Sequence, residues 1–214
     1  MKNIPIKQTI LATLAFAFSN WKKLLEVSIF PLLMALPFLP ELANLFYIFE
    51  PGSELPDLNL IYFVMFVYAS LAILINVYRL VVIGENSIGR LGFVLPDLRF
   101  GRFFLLSILV GLGQAITISS IFLLPFYLLL VPITLNLVSI ANDVPYQKIQ
   151  VSIQSRLNIL LINFIGPFIL VLFINLIGNT VVSSIFSLIS IYWTSISIAL
   201  CYKVIMANNL TQSH

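Results

Sequence analysis

Residues 103–142 read FFLLSILVGLGQAITISSIFLLPFYLLLVPITLNLVSIAN, and this stretch decides the fold because it contains no Asp, Glu, Lys or Arg. A single helix of that length would be about 60 Å long, roughly twice the thickness of the hydrocarbon core of a bilayer. The stretch therefore predicts a helical hairpin with two membrane spans. Its turn is expected between Ser119 and Pro125, and Arg102 and Asp143 bracket the hairpin.

The composition of the whole chain also indicates that the protein lies in a lipid bilayer. Of the 214 residues, 60% are hydrophobic and 9% are charged, whereas a soluble domain carries roughly 25% charged residues. A soluble fold of this size could not bury so much apolar surface in one core. A transmembrane β-barrel would alternate apolar and polar residues, but the apolar runs here are continuous. We therefore expect an all-α, polytopic membrane protein, since helices satisfy their own backbone hydrogen bonds in lipid.

The remaining apolar runs predict a single membrane domain, residues 1–214, with six transmembrane helices arranged as three hairpins. The stretch between Arg156 and Lys203 is uncharged and again long enough for two spans, with Gly178 and Asn179 as a natural turn. The predicted spans cover residues of about 24–39, 60–83, 103–122, 126–141, 158–177 and 181–202.

Two segments predict amphipathic helices at the cytoplasmic membrane surface. In residues 6–20, Ile10, Leu14 and Phe18 share one helical face. An alternative for this segment is a cleaved signal peptide. The second amphipathic helix is predicted for residues 143–158 and leads into the fifth span. Its apolar face contains Tyr146, Ile149, Ile153, Leu157 and Leu160.

The positions of the charges predict the orientation, because cytoplasmic loops carry an excess of Lys and Arg. With six spans and a cytoplasmic N-terminus, all 11 basic residues fall on the inner side. Glu41, Glu50, Glu54 and Asp57 fall on the outer side. Both termini of this multi-pass protein are therefore predicted to be cytoplasmic. A cleaved signal peptide would require a different topology.

Ionisable groups near a membrane span are costly and often functional. The candidates form a predicted cytoplasmic-face polar cluster of Glu26, Arg79, Glu85, Arg99 and Arg102. In the favoured arrangement Arg79 extends to the lipid phosphates and Glu26 stays near Lys22 or Lys23. The alternative is an ion pair of Arg79 with Glu26 or with Glu85.

Five amides are predicted to lie within or near the hydrocarbon region: Asn76, Gln114, Asn136, Asn163 and Asn175. They either line a substrate path or join helices by hydrogen bonds. A polar cavity lined by these residues would favour transport, and side chains bonded across a dry interface would favour a structural role.

The sequence predicts no catalytic site, no cofactor and no metal. His214 and Cys201 are the only histidine and cysteine, so neither a histidine metal cluster nor an intrachain disulfide can form. No Gly-rich phosphate loop, HExxH motif or nucleophile elbow occurs. A net charge of +3 is too small to indicate nucleic-acid binding. The expected partners are the lipid bilayer and either another membrane protein or a second copy of the chain.

Residues 77–85 (VYRLVVIGE) and 98–102 (LRFGR) resemble a group of uncharacterised bacterial inner-membrane proteins, similar to YciC-like and glycerophosphodiesterase membrane-domain proteins. In that group a basic residue, here Arg79, closes the second span, and an Arg-Phe-Gly-Arg-like stretch opens the third. Residues 155–158 (SRLN) match a further motif, with Leu157 in place of Gly. The resemblance implies a six-helix domain of the bacterial inner membrane without an established activity.

Short loops and the lack of a catalytic set favour a non-enzymatic protein that organises or assists other components of the cell envelope. One alternative is a small transporter or permease subunit that uses the membrane amides. Another is a lipid-active membrane enzyme that uses Glu26, Arg79 and Glu85.

Overall fold

The computed structural model describes residues 3–38, 59–119, 124–163, 167 and 180–212, and over these ranges the chain is helical without a β-strand. The predicted all-α class is confirmed. Three 3₁₀ turns, Leu36–Phe38, Glu85–Ser87 and Arg90–Gly92, accompany the α-helices. The helices are α1 (Ile6–Ser19), α2 (Trp21–Glu26), α3 (Ile29–Ala35), α4 (Leu60–Val82), α5 (Leu98–Ser119), α6 (Leu124–Ala141), α7 (153–163) and α8 (Thr180–Gln212).

The helices α5 and α6 pack against each other as an antiparallel pair. Arg99 at the start of α5 contacts Asp143, which follows α6. Further along, Gly113 of α5 lies so close to Leu130 of α6 that an added Cβ would be 2.6 Å from its side chain. The two helices expected from residues 103–142 therefore fold back on each other, although residues 120–123 of the expected turn lie outside the described residues.

Two described helical segments are long and apolar enough to cross a membrane, Leu60–Val82 and Ile189–Asn208. Ile6–Ser19 and Pro125–Ala141 are also apolar but shorter. These segments agree with membrane association, whereas six transmembrane helices remain a prediction. The acidic residues predicted to face outward, Glu41 to Asp57, and the predicted turn at Gly178 and Asn179 lie outside the described residues.

The span predicted for residues 24–39 is not one continuous helix, because the chain turns at Val27 and Ser28 between α2 and α3. Pro31 has no backbone N–H, so it cannot donate to the carbonyl of Val27 four residues earlier. The backbone of Gly92 packs against this carbonyl, where an added Cβ would lie only 1.6 Å from the Val27 oxygen. The interruption thus makes room for the turn that follows α4.

The first helix buries its hydroxyl side chains and exposes apolar ones. Thr9 and Thr13 are buried in a helix that packs on α8, and each hydroxyl donates to a backbone carbonyl four residues earlier. Because these bonds are made within the helix, the face can be buried without an unsatisfied donor. Leu11, Leu14 and Phe18 are exposed, which leaves an apolar surface available to lipid.

The amphipathic helix predicted for residues 143–158 is wrong for its first part, because residues 144–152 are not helical and α7 begins at residue 153. Ile149 and Val151 are buried, whereas Lys148 and Gln150 are exposed. Burial therefore alternates from one residue to the next over these four positions, which is not the period of a helix. The spacing of the apolar residues in the sequence fits a helix. In the structure, however, buried and exposed residues alternate one by one from Lys148 to Val151.

Candidate functional site

The ends of three helices bring several charged side chains together. Arg79 lies in the last turn of α4. Arg99 and Arg102 lie in the first turns of α5, and Asp97 immediately precedes that helix. Asp143 follows α6 directly. These helix ends and the residues beside them therefore build one charged cluster from side chains that are far apart in the sequence.

The cluster is held by ion pairs centred on Arg99. Its Nη1 atom donates to both carboxylate oxygens of Asp143, at 2.9 Å each. Its Nη2 atom lies 3.4 Å from Oδ2 of Asp97. Arg79 approaches Asp143 from α4, with Nη2 3.6 Å from Oδ2. The two aspartates thus fix the guanidinium group of Arg99 from two sides, and such charge-assisted bonds are stronger than neutral ones.

The backbone at the end of α6 explains why Asp143 points to this cluster. Val144 N–H donates to the carbonyl of Ser139, and Asp143 N–H donates to that of Ile140. These are the two bonds of a Schellman motif, in which the residue at the position of Asp143 has a left-handed conformation. Asp143 has φ +61°. Glycine is usual at that position, and aspartate is among the few other residues that adopt this conformation readily.

Beside the cluster is a cleft with a volume of about 400 Å³. Arg102 is exposed and has no ion pair among the described residues. Leu98 and Tyr146, at the two sides of the cleft, are also exposed. The cleft therefore combines cationic and apolar surface. Its lining consists of Leu98, Arg99, Arg102, Ile140, Asp143, Val144, Pro145 and Tyr146.

The structure brings together Arg79, Arg99 and Arg102 of the predicted cytoplasmic-face cluster, but not its two glutamates. Glu26 pairs with Lys23 at 3.0 Å, and Glu85 is exposed. The predicted position of Glu26 beside a neighbouring lysine is therefore confirmed. Neither glutamate pairs with Arg79 within the described part of the chain, where the partner of Arg79 is an aspartate.

Asp143 is the residue of this cluster that the sequence-based candidates did not include. A signal for it was present, because Asp143 ends the uncharged stretch that Arg102 begins. A hairpin brings its two ends together, so an acid at one end and arginines at the other are expected to meet.

The predicted intramembrane amides are mostly occupied by hydrogen bonds. Asn136 is 1% exposed, and its side chain donates to the carbonyl of Gln147 and accepts from the N–H of the same residue, both at 2.8 Å. Asn76 donates to the carbonyl of Gly92 at 2.7 Å. Asn163 accepts from Ser197 Oγ of α8 at 2.7 Å. These contacts are the expected kind for side chains that hold a packed interface together.

The remaining two predicted amides are Gln114 and Asn175. Gln114 is half-buried in α5 and does not line the cleft, and Asn175 lies outside the described residues. A further asparagine that sequence analysis did not select, Asn158 of α7, donates to the carbonyl of Ile4 at 2.7 Å. Three asparagines, Asn76, Asn136 and Asn158, therefore each bind a backbone group that lies outside the α-helices.

Within the described ranges, no group of three or more His, Cys, Asp or Glu side chains is placed to hold a metal ion. The charged cluster offers guanidinium donors and carboxylate acceptors, which bind charged groups by electrostatic attraction and hydrogen bonding. Comparisons with protein-family models, with curated proteins and with solved structures find no match for this chain. The resemblance to bacterial inner-membrane proteins therefore stays a prediction.

Proposed function

We propose that this protein is a non-enzymatic, multi-pass membrane protein that organises or assists other components of a bacterial inner membrane. In this proposal six spans form three hairpins, and both termini face the cytoplasm. The observation that carries the functional part is the use of the buried amides: Asn76 and Asn136 bind backbone groups of the same chain. Amides that line a transport path would instead present these groups to a substrate.

Exposed apolar surface supports the membrane part of the proposal. Leu105, Leu109 and Leu112 of α5 are 68%, 53% and 61% exposed, and their spacing places them along one side of the helix. Contiguous apolar patches of this kind are rare on soluble monomers. Surrounding lipid would remove their contact with water, as it would for the exposed leucines of α1.

The positions of the charged side chains support the orientation. Arg79, Arg99 and Asp143 meet at one end of the helices. Lys203 of α8 donates to the carbonyl of Val81, near the end of α4, at 3.3 Å. Basic residues of three helices at one end of the bundle are the pattern that the positive-inside rule associates with the cytoplasmic side.

Cysteine labelling in intact cells tests the topology. On a Cys201→Ser background, a membrane-impermeant maleimide should label Glu54→Cys and Gly178→Cys from outside. It should label Arg90→Cys and Gln150→Cys only after the membrane is permeabilised. Labelling of Gln150→Cys in intact cells would refute the hairpin of the third and fourth spans.

Photocrosslinking tests the organising role. A photoreactive amino acid at Leu112, on the exposed side of α5, should form a discrete adduct with another membrane protein or with a second copy of the chain. The same group at Val110, which is 4% exposed, is the matched control and should form no intermolecular adduct. If neither position crosslinks to protein and the purified chain alone moves a solute across liposomes, the transporter hypothesis replaces this one.

A further inference from the structure

We propose that the cleft between the start of α5 and the loop after α6 binds the phosphate group of an anionic glycerophospholipid from the cytoplasmic leaflet. The inference rests on the proposed membrane topology, which places this end of the bundle at the level of the lipid headgroups. Its lining residues contain both the cationic and the apolar groups that such a ligand needs.

The charge of the cluster fits a ligand with one negative charge. Arg79, Arg99 and Arg102 supply three positive charges, and Asp97 and Asp143 supply two negative ones. The described ion pairs connect the first two arginines with the aspartates and leave Arg102 without an ion pair. A lipid phosphodiester carries a single negative charge and would balance the remaining positive one.

The two arginines of the lining are suited to phosphate rather than to a general surface contact. A guanidinium group presents several N–H donors in one plane and binds phosphate oxygens through two bonds at once. Arg99 is engaged by Asp97 and Asp143, whereas Arg102 has no ion pair among the described residues.

The apolar part of the lining favours a lipid over a soluble phosphate. Leu98 and Tyr146 are 73% and 61% exposed, and Val144 and Pro145 add further apolar surface. Tyrosine is enriched at the membrane interface because one end of its ring is apolar and the other is polar. The cleft volume of about 400 Å³ lies within the range of small-molecule sites, roughly 300–1,000 Å³. It can hold a phosphate with its glycerol group while the acyl chains stay in the bilayer.

Native mass spectrometry of the purified full-length protein in detergent tests the proposal. Phosphatidylglycerol and phosphatidylcholine are titrated separately, since both contain a phosphodiester but only the first carries a net negative charge. The wild type should bind phosphatidylglycerol more tightly than phosphatidylcholine. Arg102→Gln should weaken binding of phosphatidylglycerol about five- to tenfold, which is the effect of removing one cationic contact.

Two further variants are compared with Arg102→Gln: a control with the same loss of charge elsewhere, and a variant expected to bind more tightly. Lys7→Gln removes the same charge from an exposed position of α1 and should change binding less than twofold. Asp143→Asn removes the acidic competitor for Arg99 and should strengthen binding of phosphatidylglycerol several-fold. Thermal unfolding of each variant shows that it is folded. Equal binding by the wild type and Arg102→Gln, or equal losses in Arg102→Gln and Lys7→Gln, would overturn the proposal.

A competition experiment with soluble glycerol phosphate shows whether the bound phosphate belongs to a membrane lipid or to a soluble compound. Failure to displace phosphatidylglycerol at millimolar concentration supports the lipid source, and displacement in the micromolar range would overturn it in favour of a soluble ligand. The cysteine labelling in intact cells, described above, tests the topology independently. Expected labelling without lipid binding refutes this inference alone, whereas labelling of Gln150→Cys from outside refutes the proposed topology on which it rests.

Discussion

Nη1 of Arg99 lies 2.9 Å from both carboxylate oxygens of Asp143, although the two residues are 44 positions apart in the chain. Arg99 lies in the first turn of α5, shortly before the uncharged stretch 103–142, and Asp143 directly follows that stretch. The ion pair therefore joins the two chain segments at the open end of this hairpin. Asp143 reaches Arg99 because the left-handed turn after α6 directs the chain back toward α5.

A double-mutant cycle with Arg99→Gln and Asp143→Asn measures the contribution of this contact to stability. We expect a coupling free energy of about 1 kcal/mol, since the pair has two charge-assisted bonds but the Asp143 side chain is 56% exposed. The measurement is thermal or denaturant unfolding in detergent. The matched control is Lys23→Gln with Glu26→Gln, a half-buried pair within one helix for which about 0.3 kcal/mol is typical. A coupling no larger than that of the control would contradict the structural role of Arg99 and Asp143.

The close approach of Gly92 to Val27 predicts a strong effect of adding one methyl group. Gly92→Ala should lower the free energy of unfolding by about 2 kcal/mol or more, because the new Cβ would overlap the Val27 oxygen and because φ at this position is +78°. Gly111→Ala is the control, since a Cβ there meets no atom within 4 Å. It should leave stability unchanged or raise it by up to about 1 kcal/mol, as alanine favours a helix. Similar unfolding temperatures of the two variants would be inconsistent with the packing of the turn on Val27.

The contact between Asn136 and Gln147 predicts a change in both stability and amide exchange. Asn136→Ala leaves the N–H and carbonyl of Gln147 without this partner and should cost about 1–3 kcal/mol. Hydrogen exchange followed by mass spectrometry should show faster exchange in the peptide 144–152. Asn86→Ala, at an exposed position of a 3₁₀ turn, should change stability by less than about 0.5 kcal/mol. Unchanged exchange at 144–152 in Asn136→Ala would show that the hydrogen bonds between Asn136 and Gln147 do not hold this segment in place.

The burial of Cys201 predicts slow chemical modification. Its side chain is 0% exposed, so a maleimide should label the native protein slowly and the denatured protein completely. The readout is intact mass after a timed reaction in detergent, with exposed Gln150→Cys as the reactive control on a Cys201→Ser background. Equal labelling rates of Cys201 and Cys at position 150 would show that α8 does not pack as described.

The helical class and the hairpin of α5 and α6 could be predicted because both follow from local properties of the chain. The number of consecutive apolar residues determines whether a helix must turn back, and residues 103–142 exceed what one span can use. The arginine part of the candidate site was also visible, since Arg79, Arg99 and Arg102 stand at the ends of apolar runs.

The tertiary structure alone decided which partners these residues have. Residues 144–152 are not helical, and Asn136 binds the backbone of Gln147 within them. The helix over residues 24–39 is interrupted where Gly92 packs on Val27. Arg79 pairs with Asp143 rather than with Glu26 or Glu85. Apolar runs and helical periods depend on neighbours within a few positions. Hydrogen bonds and ion pairs between distant segments depend on how the helices pack, and that is decided by the free energy of the whole fold.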